Sequence, residues 1–183
     1  MVRIDRVTTR GGDGGETSLG DGTRIAKTDP RIAALGAVDE VNAVIGVLRT
    51  HTRHDADADA MLARIQNDLF DLGADLCVPG QNGDRLRMTE GPILRLEAEI
   101  EAMRALVPPL RSFVLPGGTD AAAHAHLARV VARRAERDTL AVEAVNPAAA
   151  IYLNRLSDHL FLLARLMNDC GAADIVWIPG ANR

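Results

Sequence analysis

Five stretches of this chain repeat an apolar residue every three or four positions, and each is bounded by a capping residue, a proline or a glycine. That period marks one face of an α-helix and leaves little room for a strand-built fold. Asp29-Pro30 sets an N-cap before a proline at the first helical position, and Ile32, Leu35, Val38, Val41, Ile45 and Leu48 follow as one stripe. Met61, Ile65, Leu69, Leu72 and Leu76 make a second stripe, stopped near Pro79-Gly80. A third, capped near Thr89, runs through Ile93, Leu96, Ile100, Met103 and Val107 to Pro108-Pro109. The fourth begins after Pro116-Gly117-Gly118 with Thr119 as N-cap and is expected to reach about Val145. Asn146-Pro147 opens the fifth, with Ile151, Leu156, Leu160, Leu163 and Met167, ended by Gly171. Helices of about 20 residues span roughly 30 Å, and five of them read as an all-α, five-helix antiparallel bundle. Ile175 to Ile178 is too short a run to support a sheet. Alanine-rich faces suit close helix packing, including packing between subunits.

The 183 residues make one domain: a polar, Gly-rich segment over 1–28, the bundle over 29–171 and a tail over 172–183. A formal net charge of -4 argues against a general nucleic-acid binder, which is usually basic. No window approaches the ~18 uninterrupted apolar residues of a membrane span. Met1 to Arg10 lacks the apolar centre of a signal peptide. The two cysteines, Cys77 and Cys170, read as reduced thiols, so a cytoplasmic location is expected.

Four features carry chemistry. The first is the loop Thr9-Arg10-Gly11-Gly12-Asp13-Gly14-Gly15-Glu16-Thr17-Ser18. Its glycines allow successive backbone N–H groups to converge on an anion, and its hydroxyls add donors. A floppy polar tail is the plain alternative. Lys27, the only lysine against twenty arginines, would add a full charge to such a site or is an accident of the surface. The segment is not a Walker A loop, because Ala26 stands where that motif needs glycine and no strand pattern precedes it.

The second feature is Arg129, Arg133 and Arg137, spaced i, i+4, i+8 on the fourth helix, with Arg134 beside them. Like charges at that spacing repel by about a few tenths of a kcal/mol per pair. Either Glu136 and Asp138 offset them on a solvated face, or an external triphosphate does, since guanidinium forks match phosphate oxygens. The third is Asn154 to His159, either the solvent side of the fifth helix or the wall of a site. The fourth is Phe113, one of five aromatics, in the apolar run Phe113 to Thr119. It is either a core plug or a ring facing an apolar cofactor. The histidines make poor metal ligands: His124 and His126 point to nearly opposite sides of their helix, and His51 and His54 fall where the first helix ends. No Glu-x-x-His occurs, and no metal centre is expected.

In their order along the chain these pieces resemble the ATP:cob(I)alamin (corrinoid) adenosyltransferases of the propanediol-utilisation, or PduO, type. The likeness covers nearly the whole chain. It rests on the Gly-Asp-Gly loop, Lys27, Asp29-Pro30-Arg31, Gly36 to Asn42, Phe113 to Thr119, the Arg129 to Arg137 block and Asn154 to Asp158. It implies a ferritin-like five-helix bundle, homotrimeric, with active sites at the subunit interfaces. The implied enzyme transfers the 5′-deoxyadenosyl group of ATP, with Mg²⁺, to the cobalt of cob(I)alamin, giving adenosylcobalamin and triphosphate.

By the same resemblance, Thr9, Arg10, Gly11, Gly12, Thr17, Ser18 and Lys27 wrap the phosphates. Arg133, Arg134, Glu136, Arg137 and Asn154 match ATP-binding positions. Asp39 and Arg129 match a pair that bridges neighbouring subunits beside the catalytic centre. Phe113 matches the aromatic on the lower axial side of the corrin, where it would exclude the lower ligand. A flavoprotein reductase and an adenosylcobalamin-dependent enzyme are the protein partners such an activity leaves room for. The chain departs from the pattern at Gly11 and Gly14, where the family has a hydroxyl or amide and a base. That bears on two side chains and not on the backbone nest. A rival on the same scaffold is a non-catalytic module that senses ATP or delivers corrinoid.

No catalytic base is needed, because reduced cobalt is itself the nucleophile. The protein has to hold the 5′ carbon in line and stabilise the departing triphosphate. Lys27 and the arginine strip suit that task.

Overall fold

The computed structural model describes residues 8–80 and 85–183. Residues 81–84, within the stretch Pro79 to Met88 that the sequence reads as a loop, and residues 1–7 lie outside that description.

All five helices form on the expected stripes, although α3 ends at Arg104, before Val107. Helix α1 (Pro30–His51) starts at the expected cap, with the Asp29 carboxylate accepting from the Arg31 amide. Asp55 caps α2 (Ala56–Leu76) and Asn146 caps α5 (Pro147–Met167) in the same way. Thr119 caps α4 (Asp120–Leu140) through its hydroxyl, whereas α3 (Glu90–Arg104) has Thr89 at its N-cap without a side-chain bond. Helix α4 ends five residues before the expected Val145. Ala141 closes it with an N–H to the Asp138 carbonyl, and Ala144 turns left-handed (φ 52), which a right-handed helix cannot absorb.

Neighbours run α2, α1, α4, α5, α3 across the bundle, with α4 packed on both α1 and α5. The buried face of α4 is built largely from alanine: Ala122, Ala125, Ala128, Ala132 and Ala135. Those small side chains let α1 and α5 approach closely. Val41, Ile45 and Leu48 of α1 then meet Leu153, Leu156 and Leu160 of α5 in one core, joined by Leu62, Ile65 and Leu69 of α2. Each such leucine or isoleucine contributes about 1.5–3 kcal/mol by leaving water.

The N-terminal segment departs from expectation. Strands β1 (Glu16–Ser18) and β2 (Arg24–Ala26) pair antiparallel, with Thr17 opposite Ile25. Neither strand offers an apolar alternation, so no strand signal exists in the sequence. The turn between them closes through the Leu19 amide to the Thr23 carbonyl (2.8 Å), with Gly22 at φ +90. The Gly20 amide anchors the hairpin to the Cys77 carbonyl at the end of α2. A second short pairing, Val114 with Val176, ties the tail to the loop before α4. The two cysteines are free. Among the described residues no helix is long and apolar enough to cross a membrane.

Candidate functional site

The Gly-rich loop is shaped by its own backbone. The Asp13 amide donates to the Arg10 carbonyl, the Gly15 amide to that of Gly12, and the Lys27 amide to that of Gly15. Arg10 (φ 59) and Gly15 (φ 85) take the left-handed turns. The amides of Gly11, Gly12 and Gly14 have no acceptor among the described residues, which leaves them for an anion. The Lys27 ammonium lies against Gly12, 2.8 Å from where a Cβ would stand. Arg24 braces the loop, donating to the Gly11 carbonyl (2.9 Å) and the Ser18 hydroxyl (3.3 Å). Thr9, Arg10 and Gly11 stand exposed on this rim.

Between the hairpin and α1 lies an open cleft of about 460 Å³, lined by Thr17, Ser18, Lys27, Leu35, Gly36 and Asp39. The fold thus gathers hydroxyls, the single lysine and the Asp39 carboxylate on one wall. The loop is no loose tail, since its hairpin is hydrogen-bonded to Cys77 at the end of α2 and to Asp29, the N-cap of α1.

The arginine strip lies on α4. Its own helix does not neutralise it: Glu136 and Asp138 make no ion pair with Arg133 or Arg134. Arg134 pairs instead with Glu40 of α1, and Arg137 donates to the Arg133 carbonyl (3.1 Å). Glu136 accepts from the Asn154 amide of α5 at 3.0 Å, so those two expected site residues touch. Asn154 therefore faces a neighbouring helix rather than solvent alone. Arg133 is exposed and without an ion pair among the described residues.

Arg129 is half-buried on α4. Its Nε is buried without a hydrogen-bond partner. Burial, with the Arg133 charge beside it, pushes its guanidinium below the ordinary arginine value. Asp39 is exposed on α1, and no bond joins it to Arg129 within the chain. Nor does any hydrogen bond or ion pair join the loop residues to the strip.

Phe113 is not a core plug. It is 76% exposed, near the uncovered apolar residues Leu115, Val176, Trp177 and Ile178. The tail fixes it in place: Leu115 donates to the Ile175 carbonyl (2.7 Å) and Trp177 to the Phe113 carbonyl (2.8 Å). The Phe113 and Trp177 rings stand 6.0 Å apart. Below them, Asn168 bonds the Thr119 amide and the Gly117 carbonyl, and the buried Arg165–Asp174 pair holds the tail's root.

The sequence of this site matches a known family. The family model described as cobalamin adenosyltransferase matches residues 7–167. The chain belongs to the cobalamin adenosyltransferase family. Among relatives, a cobalamin adenosyltransferase of Cupriavidus metallidurans is 45% identical over 180 residues, 96% of this chain and 95% of that protein. A corrinoid adenosyltransferase of Mycobacterium tuberculosis is 45% identical over 190 residues, 100% of this chain and 97% of that protein. A variant of the PduO-type ATP:corrinoid adenosyltransferase from Lactobacillus reuteri, solved with cobalamin and ATP, superposes with a TM-score of 0.86. It is 34% identical and covers 94% of this chain and 99% of that one.

Three residues in contact with these candidate positions carry no assignment from the sequence. Trp177 was legible as one of five aromatics inside an apolar run. Asn168 carried no signal, since its partners lie about 50 positions away. Arg155, which donates to the Asn154 Oδ1 at 2.8 Å, stood inside the quoted motif but had no assigned task.

Proposed function

We propose that this chain is an ATP:corrinoid adenosyltransferase that moves the 5′-deoxyadenosyl group of ATP onto the cobalt of cob(I)alamin and releases triphosphate. The observation that carries the reading is the half-buried Arg129, whose buried Nε has no hydrogen-bond partner, beside Arg133, which has no ion pair among the described residues. A cationic strip left open in this way is complete only when an anion and a carboxylate from outside the chain meet it.

Asp39 of a neighbouring copy is the carboxylate that supports this reading, which makes the working assembly a homotrimer with sites at its interfaces. The Gly11, Gly12 and Gly14 amides, Thr17, Ser18 and Lys27 of one copy would then face Arg133, Arg137 and Asn154 of the next across the nucleotide. Thr9 and Arg10 would close the loop over the phosphates. Mg²⁺ fits as a companion of ATP, because phosphate oxygens and water supply most of its ligands. Among the described residues no cluster of three histidine, cysteine or acidic side chains offers a separate metal cage.

Reduced cobalt supplies the electron pair that displaces triphosphate from the 5′ carbon. The chain's residues orient that carbon and stabilise the leaving charge, which lowers the barrier without a base. Phe113 presents an apolar face where a lower cobalt ligand would otherwise bind. Excluding that ligand eases reduction of cob(II)alamin. A flavoprotein reductase upstream, an adenosylcobalamin-dependent enzyme downstream and a cytoplasmic setting agree with this chemistry.

The test is an anaerobic, dark reaction of purified protein with ATP, Mg²⁺ and chemically reduced cob(I)alamin. A light-sensitive cobalt–carbon product with one triphosphate per corrinoid is expected. ATP raising the melting temperature with no product would replace the enzyme by a binding module.

A further inference from the structure

Asn154 is gripped from two sides. Its Nδ2 donates to Glu136 Oε1 at 3.0 Å, and its Oδ1 accepts from Arg155 Nη1 at 2.8 Å. Arg155 gives its Nε to Glu97 Oε1 of α3, also at 2.8 Å. A continuous chain of polar contacts therefore runs Glu97, Arg155, Asn154, Glu136, from α3 across α5 to α4. No residue of α3 has a role in the reading above, yet this chain delivers α3 to the edge of the arginine strip.

The chemistry of the four groups allows one arrangement. A guanidinium only donates and a carboxylate only accepts. An amide offers one oxygen and two N–H donors. With Arg155 on one side and Glu136 on the other, the amide oxygen must face Arg155 and the nitrogen must face Glu136. Turning the amide over would set oxygen against carboxylate and N–H against guanidinium. One Nδ2 hydrogen serves Glu136, and the second has no partner among the described residues.

We propose that Arg155, braced by Glu97, is a positioning residue for the nucleotide: it locks the Asn154 amide so that its free N–H is presented to ATP. The inference rests on the ATP assignment made above. The Arg155–Glu97 pair is partly exposed, with side chains 37% and 42% accessible, and such pairs add little to stability. Its effect belongs in substrate handling rather than in folding.

The experiment is a double-mutant cycle in the adenosylation assay, with the Michaelis constants for ATP and cob(I)alamin measured separately. Arg155→Ala is expected to raise KM for ATP about fivefold and leave KM for cob(I)alamin unchanged. Added to Asn154→Ala it should cost nothing further, because the amide it orients is gone. Arg155→Lys, which keeps a donor, should recover part of the loss. Glu97→Ala should give a smaller rise in KM for ATP, and it decides the matter should Arg155→Ala fail to fold. Independent, multiplying effects of Asn154→Ala and Arg155→Ala would overturn the inference, as would an unchanged KM for ATP in Glu97→Ala. A raised KM in Asn154→Ala alone would overturn only the role of Arg155. No change in either single variant would overturn the ATP assignment of Asn154 as well.

Discussion

The amide of Trp177 donates to the carbonyl of Phe113 at 2.8 Å, and the two rings stand 6.0 Å apart with their planes tilted by 57°. Sixty-four positions of sequence separate them, yet the short Val114–Val176 pairing makes them neighbours on one exposed apolar surface.

Under the proposed function, that arrangement would make the tail part of the corrin-facing wall. Phe113→Ala is expected to lower adenosylation from cob(II)alamin more than from pre-reduced cob(I)alamin. Trp177→Ala should show the same bias, more weakly, because it removes the support and leaves the ring. Comparing initial rates from the two cobalt states checks both. Equal losses from both states would remove Phe113 from control of the lower axial side.

Gly12 separates binding from folding. A Cβ there meets the end of the flexible Lys27 side chain, which can move aside. Gly12→Ala should therefore leave the urea midpoint nearly unchanged while raising KM for ATP several-fold. A large fall in stability with an unaltered KM would mean that Lys27 does not serve the phosphates.

Gly118 works the other way. It sits at φ +101, and a Cβ would fall on the Asn168 side chain that ties α4 to the loop. Asn168 cannot yield without losing its bonds to Thr119 and Gly117. Gly118→Ala should cost about 2–4 kcal/mol in urea unfolding, from backbone strain plus a broken buried bond.

His126 sets a pH dependence of stability. Its ring is buried against Phe161, with neither nitrogen hydrogen-bonded. Burial, then the Arg129 charge, holds it below the ordinary value of 6.5, although Asp174 pulls the other way. The unfolded chain therefore binds that proton more readily than the folded one. The stability it contributes is full above about pH 6.5 and falls as the pH drops through the folded value. Urea midpoints measured from about pH 7 down to about pH 5 should decline, and His126→Phe should flatten that decline. An identical slope in the variant would contradict this.

Much of this architecture was legible because helix signals are local. Asp29-Pro30 and Asn146-Pro147 state their caps within two residues, and the stripes recur within a turn. The hairpin was not legible, because strands of three half-exposed residues carry no alternation. The end of α4 was missed because left-handed Ala144 has no sequence signature. For the site, composition pointed to Lys27 and spacing to the arginine strip. What they touch depends on which helices pack together, so Arg134 with Glu40 and Glu136 with Asn154 became readable only with the fold. The proposed Asp39–Arg129 pairing would form only between two copies, and within one chain no bond joins the two residues.

The most direct test of the account is the rate of adenosylcobalamin formation by the native chain and by Arg133→Ala, with ATP, Mg²⁺ and pre-reduced cob(I)alamin. Steady turnover by the native chain is expected, with a loss of about 100-fold or more in kcat/KM for ATP in the variant, as follows when a charge-assisted contact to the leaving triphosphate is removed. Full activity in Arg133→Ala would contradict the placement of the triphosphate on α4, and no turnover by the native chain would contradict the enzyme itself.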